Sequence, residues 1–249
     1  MTLRSVPFSR RFLVSDDAGR NARRVRMLAG TSDWRRDVLD RVASAAILIG
    51  GTRPWPISTG WQWPATAAAQ VESQLTAAMP GVRIEAAVMP RQAGRARLSL
   101  LCRSGGRSDQ VIVVKLALVD DGLERETLAL ELLTDKPLPA IATPRVLASG
   151  QLDDDIMFLA TDAVGLDRQR PAIDEPLRHF EHDLAERLTG LPRPPDIASD
   201  AVPIHGDLAP WNLRRTGRGL ALFDWESAGW GAPGSDLDFY RRSCGELRR

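Results

Sequence analysis

Three oxygen-bearing side chains between positions 204 and 226 fall at a spacing suited to phosphoryl transfer. The segment Ile204-His205-Gly206-Asp207-Leu208-Ala209-Pro210-Trp211-Asn212 is followed by Leu222-Phe223-Asp224-Trp225-Glu226. An Asp can orient a hydroxyl acceptor and take its proton, the role that suits Asp207. An Asn and a second Asp offer the oxygen ligands that a hard cation prefers, which suits Asn212 and Asp224. His-Gly-Asp or Asp-Trp-Glu alone would read as a polar turn, but both at this spacing favour chemistry.

The elements that must position these residues are legible nearby. Leu213-Arg214-Arg215 and Leu220-Ala221-Leu222-Phe223 are strand-like, and Thr216-Gly217-Arg218-Gly219 between them has the glycine content of a hairpin turn. Such a hairpin brings Asn212, just ahead of its first strand, close to Asp224, just after its second. Asp207 lies on the loop leading in, separated by a turn containing Pro210.

The two motifs resemble those of the aminoglycoside phosphotransferase and choline kinase-like family, which has a protein kinase-like fold and carries His-Gly-Asp where protein kinases have His-Arg-Asp. The resemblance implies that Asp207 is the catalytic Asp, and that Asn212 and Asp224 hold Mg²⁺. Pro233-Gly234-Ser235-Asp236-Leu237 resembles the family's Pro-x-x-Asp-Leu, whose Asp braces the catalytic loop, so Asp236 is expected to be structural. His205 is expected to pack and hydrogen-bond within the loop, and Glu226 to assist the metal or end the strand. The implied activity is ATP- and Mg²⁺-dependent transfer of the γ-phosphate to a hydroxyl of a small molecule, with GTP as the alternative nucleotide. Aminoglycosides, sugars and amino alcohols are the acceptor classes. The alternative is a kinase-like module that binds nucleotide or a partner with little or no turnover.

A second constellation involves Lys115. The run Val111-Ile112-Val113-Val114-Lys115-Leu116-Ala117-Leu118 is apolar on both faces except at Lys115, the pattern of a buried central strand. A buried ammonium needs a partner or a phosphate. Lys115 and Lys136 are the chain's two lysines, so a Lys here is conspicuous where Arg otherwise supplies the cations. Eleven residues on lies Glu126, on a helix expected to start in Asp120-Asp121-Gly122 and to run to about Leu133. At about 100° per residue, Leu123, Ala129, Leu130 and Leu133 fall within about 60° of Glu126, while Glu124 and Glu131 lie opposite. The resemblance implies that Lys115 and Glu126 pair to hold the nucleotide phosphates; the plain alternative is a Lys that reaches the sheet edge and a Glu that fills a gap.

Further strands are expected at Val82 to Val88, Ala96 to Cys102, Pro144 to Leu147 and Ile156 to Ala160. The turn Pro90 to Arg95 has one Gly and reads equally as a phosphate-covering loop or an ordinary hairpin turn. Ala160 to Gly165 resembles the family's hinge. Glu175 to Leu188 reads as an amphipathic helix whose His179, Glu181, His182 and Asp183 are expected to be solvated rather than to bind metal. Upstream, a helix is expected from Ser32 and Asp33 to Leu48, then a Pro/Trp-rich loop from Pro54 to Pro64, then a second helix with Ala68, Val71, Leu75 and Met79 on one stripe.

The expected fold class is therefore α+β: a protein kinase-like two-lobed fold with an antiparallel-sheet first lobe, a short, mainly helical second lobe and a helical N-terminal extension. The boundaries are residues 1–80, 81–160 and 161–249. About a dozen residues follow Asp236, so the acceptor site is expected to be completed by the N-terminal extension, a homo-oligomeric copy or another partner, unless the chain is a truncation. A formal net charge of +1 argues against a polyanion-binding protein. Residues 1–80 carry eleven Arg against six acidic residues, net +5, with no basic block long enough to stand alone as a nucleic-acid or membrane patch. Cys102 and Cys244 lack disulfide-framework or zinc spacing. Without an apolar leader or a run of spanning length, a cytoplasmic location is expected.

Overall fold

The computed structural model describes residues 3–5, 12–15, 68–88, 97–105, 110–118, 122–164, 170–173, 177 and 179–247. The helix expected from Ser32 to Leu48, the Pro/Trp-rich loop and the turn Pro90 to Arg95 lie outside these residues, as does Gly165 at the end of the expected hinge. The chain divides into two compact units, one of residues 1–121 with 147–163, the other of residues 122–146 with 164–249. This division groups residues 123–135 with the second unit, whereas the sequence boundaries place them in the first lobe.

The first unit is built on a seven-stranded sheet. Its strands are β1 (Leu3–Ser5), β2 (Phe12–Ser15), β3 (Val82–Val88), β4 (Arg97–Ser104), β5 (Val111–Leu118), β7 (Val146–Asp153) and β8 (Ile156–Asp162), in the order β1-β2-β3-β4-β5-β8-β7. Helix α1 (Ala68–Ala78) precedes β3. Register and burial agree on which face is the core: Leu98, Leu100 and Cys102 of β4 stand opposite Leu116, Val114 and Ile112 of β5, and all six belong to one buried cluster. Val71 and Leu75 of α1 join that cluster, each contributing about 1.5–3 kcal/mol by burial. A β-bulge between Ile84 and Ala86 shifts the inward set of β3 from even to odd positions, so that both Ile84 and Ala87 reach the same core. Glu85, at the bulge, pairs with Arg103.

β5 is central, as its apolar pattern implies, flanked by β4 and β8. Lys115 pairs across to Ser99 and Leu159. Because the side-chain period of a strand is two, it projects from the face opposite the Ile112, Val114 and Leu116 core, and it is partly buried. Of the helical extension expected over residues 1–80, Ala68–Ala78 is a helix, whereas β1 and β2 are strands that extend the sheet beyond β3. Runs of three and four residues carry too little periodicity to announce themselves; pairing with β3 makes β2 a strand.

In the second unit α2 (Leu123–Asp135) begins after Gly122, whose φ of 79° stops the helix extending upstream. Its buried face is Leu123, Glu126, Thr127, Ala129, Leu130 and Leu133, while Glu124 and Glu131 are exposed, as the helical spacing requires. A four-stranded sheet runs β6 (Ile141–Ala142), β12 (Gly219–Leu222), β11 (Leu213–Thr216), β9 (Arg170–Pro171). Helix α3 (Phe180–Arg187) starts five residues later than expected because His179 sits at φ 62°, outside helical geometry. It packs against β10 (Val202–Ile204), which pairs with β13 (Gly229–Gly231). A 3-10 turn (Trp225–Ser227) packs against α2, and α4 (Ser235–Leu247) closes the described chain. The Tyr240 hydroxyl of α4 donates to Ala172 O at 3.0 Å, and Ala172 N–H donates to Leu213 O, so α4 is tied to the hairpin sheet. Among the described residues no helix is long and apolar enough to cross a membrane.

Candidate active site

The loop bearing Asp207 is held from three sides. Ile204 leaves β10 opposite Gly229, and the chain then turns at Gly206 with φ 81°. A side chain at Gly206 would overlap the carbonyl oxygen of Ser227, so both backbone conformation and space require glycine. Beneath the turn, Asp236 accepts the N–H groups of His205 and Gly206 at 2.6 and 2.9 Å. Asp236 is only 2 % exposed and stands in the first turn of α4, where the helix dipole favours a carboxylate. Burial nevertheless pushes its pKa up, the two N–H bonds oppose that shift, and the charges of Glu181 and Asp207 add to it. Glu181 in turn accepts the N–H of Leu237 at 3.3 Å.

The third support is His205, fully buried. Its Nδ1 accepts the N–H of Asp207 at 3.2 Å, so the proton sits on Nε2, which donates to Phe223 O at 3.0 Å. The ring also meets Trp225 edge-on at 4.5 Å. Both ring nitrogens are thus committed to backbone, as expected of a packing residue and not of a base. His179 and His182 are exposed, Asp183 pairs with Arg187, and among the described residues no three His, Cys, Asp or Glu side chains form a metal cluster.

Asp207 and Asn212 are bonded directly. Asn212 Nδ2 donates to Asp207 Oδ2 at 2.8 Å and to Asp207 O at 3.0 Å. Both acceptors are oxygens, so the amide nitrogen must face Asp207, and Asn212 Oδ1 is turned the other way. The hairpin then does what its sequence suggests. Leu213 pairs with Leu222, Thr216 with Gly219, and Phe223 N–H donates to Asn212 O at 3.1 Å, which places Asp224 one residue beyond that bond. Asp224 itself is left-handed, φ 64° and ψ 64°, a conformation that Asp tolerates better than most residues. The proximity of the two carboxylates is felt electrostatically: burial raises the Asp207 pKa, the Asn212 bond lowers it, and the Asp224 charge raises it again.

Asp207, Asn212 and Asp224 therefore meet at one end of one hairpin. Glu126 lies in the same unit, 2 % exposed, on the helix that packs against the 3-10 turn following Asp224. Lys115 belongs to the first unit. Asn212 Oδ1 and the Asp224 carboxylate are hard oxygen donors and fit Mg²⁺, which needs only one or two protein ligands when phosphate oxygens complete its shell. The sequence reading did not single out Gly206 or Arg214. Arg214, the second residue of the strand that follows Asn212, donates from Nε to Trp211 O at 2.7 Å.

The architecture is that of the protein kinase-like fold. The model of the APH phosphotransferase enzyme family matches residues 151–240. The GDP and kanamycin complex of APH(2″)-IIIa is similar at 16% identity, covering 70% of this chain and 78% of that chain with a TM-score of 0.50. The GDP complex of a mutant of aminoglycoside 2′-phosphotransferase-IIIa is similar at 15% identity, covering 73% of this chain and 79% of that chain with a TM-score of 0.52. No curated protein matches the sequence. The resemblance read from the catalytic loop is borne out by the family match and by the fold of these neighbours.

Proposed function

We propose that this chain is an ATP- and Mg²⁺-dependent phosphotransferase that moves the γ-phosphate to a hydroxyl of a small molecule, of the aminoglycoside, sugar or amino-alcohol class. The observation that carries this reading is the braced loop: Asp207, bonded to Asn212 and backed by His205 and Asp236, stands where its charge reaches Asp224. The GDP in both neighbours supports nucleotide binding and keeps GTP as the alternative to ATP, and the kanamycin in one supports an aminoglycoside-type acceptor.

In this reading Asn212 holds Asp207 Oδ2, leaving Oδ1 to accept the acceptor's hydroxyl hydrogen. As that oxygen bonds to the γ-phosphorus, the bond between the γ-phosphorus and the β,γ-bridging oxygen breaks, the nucleoside diphosphate leaves, and the hydroxyl proton passes to the Asp207 carboxylate. Asp207 is a weak base even with its pKa raised, so placing the hydroxyl in line contributes more than proton affinity. Asn212 Oδ1 and Asp224 are the residues that would hold Mg²⁺, which when bound supplies neutralisation of charge on the β- and γ-phosphates. Lys115 is assigned to the α- and β-phosphates and Glu126 to fixing its ammonium. A cytoplasmic location suits a protein that draws on ATP.

The test is the purified chain with Mg²⁺ and ATP or GTP against a panel of aminoglycosides, sugars and amino alcohols, with ADP or GDP release as readout. Transfer is expected in the wild type and lost in Asp207→Ala and Asp224→Ala. Tight nucleotide binding with neither transfer nor hydrolysis in the wild type refutes the enzyme and leaves a nucleotide-binding module.

A further inference from the structure

Strand β13 is Gly229-Trp230-Gly231, so Trp230 is the one side chain by which it can be anchored. The flanking glycines let it lie close on β10: a Cβ at Gly231 would overlap Ile204 Cδ1. Trp230 itself pairs across to Pro203, two residues before His205. A ribbon of two strands and three residue pairs is marginal on its own and needs cover. Cover comes from the proline-rich segment between α3 and β10. Trp230 Nε1 donates to Leu191 O at 3.2 Å, and the Arg193 guanidinium lies over the indole with Cζ 4.6 Å from the ring centroid. The same guanidinium donates from Nη2 to Ala198 O at 2.8 Å and to Ser199 O at 2.9 Å. Arg193, though exposed, thus ties the two limbs of that segment together over Trp230.

The ribbon matters because both walls of the turn at Gly206 leave from it. β10 ends at Ile204 and delivers His205 and Gly206. β13 begins at Gly229, two residues after Ser227, whose carbonyl oxygen stands where a Gly206 side chain would be. Slack between the two strands therefore becomes slack beside Asp207. We propose that Arg193 is a positioning residue for Asp207: by clamping Trp230 under the proline-rich segment it fixes the β10–β13 pair, and with it the approach of Gly206 to Ser227. The consequence for turnover rests on the phosphotransferase reading; the clamp on the strand pair does not.

The test has an exchange arm and a kinetic arm, both on the full chain. Arg193→Met keeps the side-chain length and removes the charge and the donors. Amide hydrogen exchange in peptides spanning residues 202–207 and 227–231 is expected to quicken about fivefold, with peptides from β4 and β5 unchanged. Arg241→Met, which removes an exposed arginine paired with Asp238 on α4, should alter neither set. Trp230→Leu should quicken the same two peptides, and adding Arg193→Met to it should change them by less than about twofold more. Exchange that is unchanged in Arg193→Met, or quickened equally in every peptide, overturns the clamp, as do effects of the two substitutions that simply multiply. In the kinetic arm kcat with Mg²⁺ and ATP is expected to fall about fivefold in Arg193→Met at a nucleotide KM within about twofold of wild type, with Arg193→Lys in between. An unchanged kcat alongside quickened exchange overturns the positioning role. A wild-type chain with neither transfer nor hydrolysis sinks the phosphotransferase reading alone, because the exchange arm still decides the clamp.

Discussion

Replacing Gly206 with Ala separates two physical effects at the candidate catalytic loop. The residue sits at φ 81°, where an L side chain costs about 1–2 kcal/mol. The added Cβ would also overlap Ser227 O and lie 3.0 Å from both Ser227 C and Ser227 Cβ, contacts that only a backbone shift relieves. Overpacking of that kind costs about 1–3 kcal/mol, so the sum is about 2–5 kcal/mol. For a chain of this length that lowers Tm by about 4–20 °C. Gly234→Ala is the comparison: its φ of 85° is nearly the same, but nothing lies within 4 Å of the new Cβ. It reports the backbone strain alone, about 1–2 kcal/mol, and the difference between the two variants is the collision. Because the collision moves the backbone next to Asp207, nucleotide hydrolysis and transfer in Gly206→Ala should fall by about a hundredfold at unchanged nucleotide KM. Thermal unfolding and steady-state kinetics on both variants decide the matter. Equal Tm losses, or a Gly206→Ala chain with wild-type turnover, would refute the account of why glycine stands between His205 and Asp207.

Three further outcomes follow from the same geometry. Asp236→Asn keeps one of the two N–H bonds but turns an NH₂ toward the other donor, and should lose about 1–3 kcal/mol in chemical denaturation with turnover down about tenfold or more; a silent variant would mean that Asp236 does not brace the loop. Asp207→Asn should abolish transfer yet raise Tm by about 1–4 °C at neutral pH. The sign follows from linkage: the folded pKa of Asp207 lies above its ordinary 3.8, so the native state binds the proton more tightly than the unfolded one. The wild type's stability contribution from this group is complete below that value and is lost as pH rises through the raised pKa. The gain of the Asn variant should therefore vanish at low pH and grow on raising it, and the reverse trend in pH-dependent unfolding would contradict the assignment. Leu75→Ala should cost about 2–5 kcal/mol, since Leu75 is 1 % exposed in the core that α1 shares with the sheet; a loss below about 1 kcal/mol would show that α1 does not cover that face.

The legible parts of this chain are those whose signal is local. The hairpin between Asn212 and Asp224 needs two short strands and a glycine turn, all contiguous, and its register came out as the spacing implies. Glu126 was separable from Glu124 and Glu131 because a helix has one period, and burial followed that period. The strand Val111–Leu118 was bounded correctly by a run that is apolar except at Lys115. Less was legible where pairing partners are distant. β1 and β2 are strands by pairing, with no pattern of their own. The start of α3 was set by one left-handed residue, His179, which no periodicity reveals.

The candidate site divides in the same way. Sequence alone pointed to the residues proposed to carry the chemistry, because Asp207, Asn212 and Asp224 are close along the chain and their types suit one reaction. Tertiary structure decided what holds them: Asp236, thirty-one residues beyond His205, reaches both loop amides, and His205 Nε2 donates to Phe223 O, eighteen residues on. These are hydrogen bonds between segments that meet only after the sheet and helices have packed. Their energies come from desolvation and geometry, and neither is written in residue order.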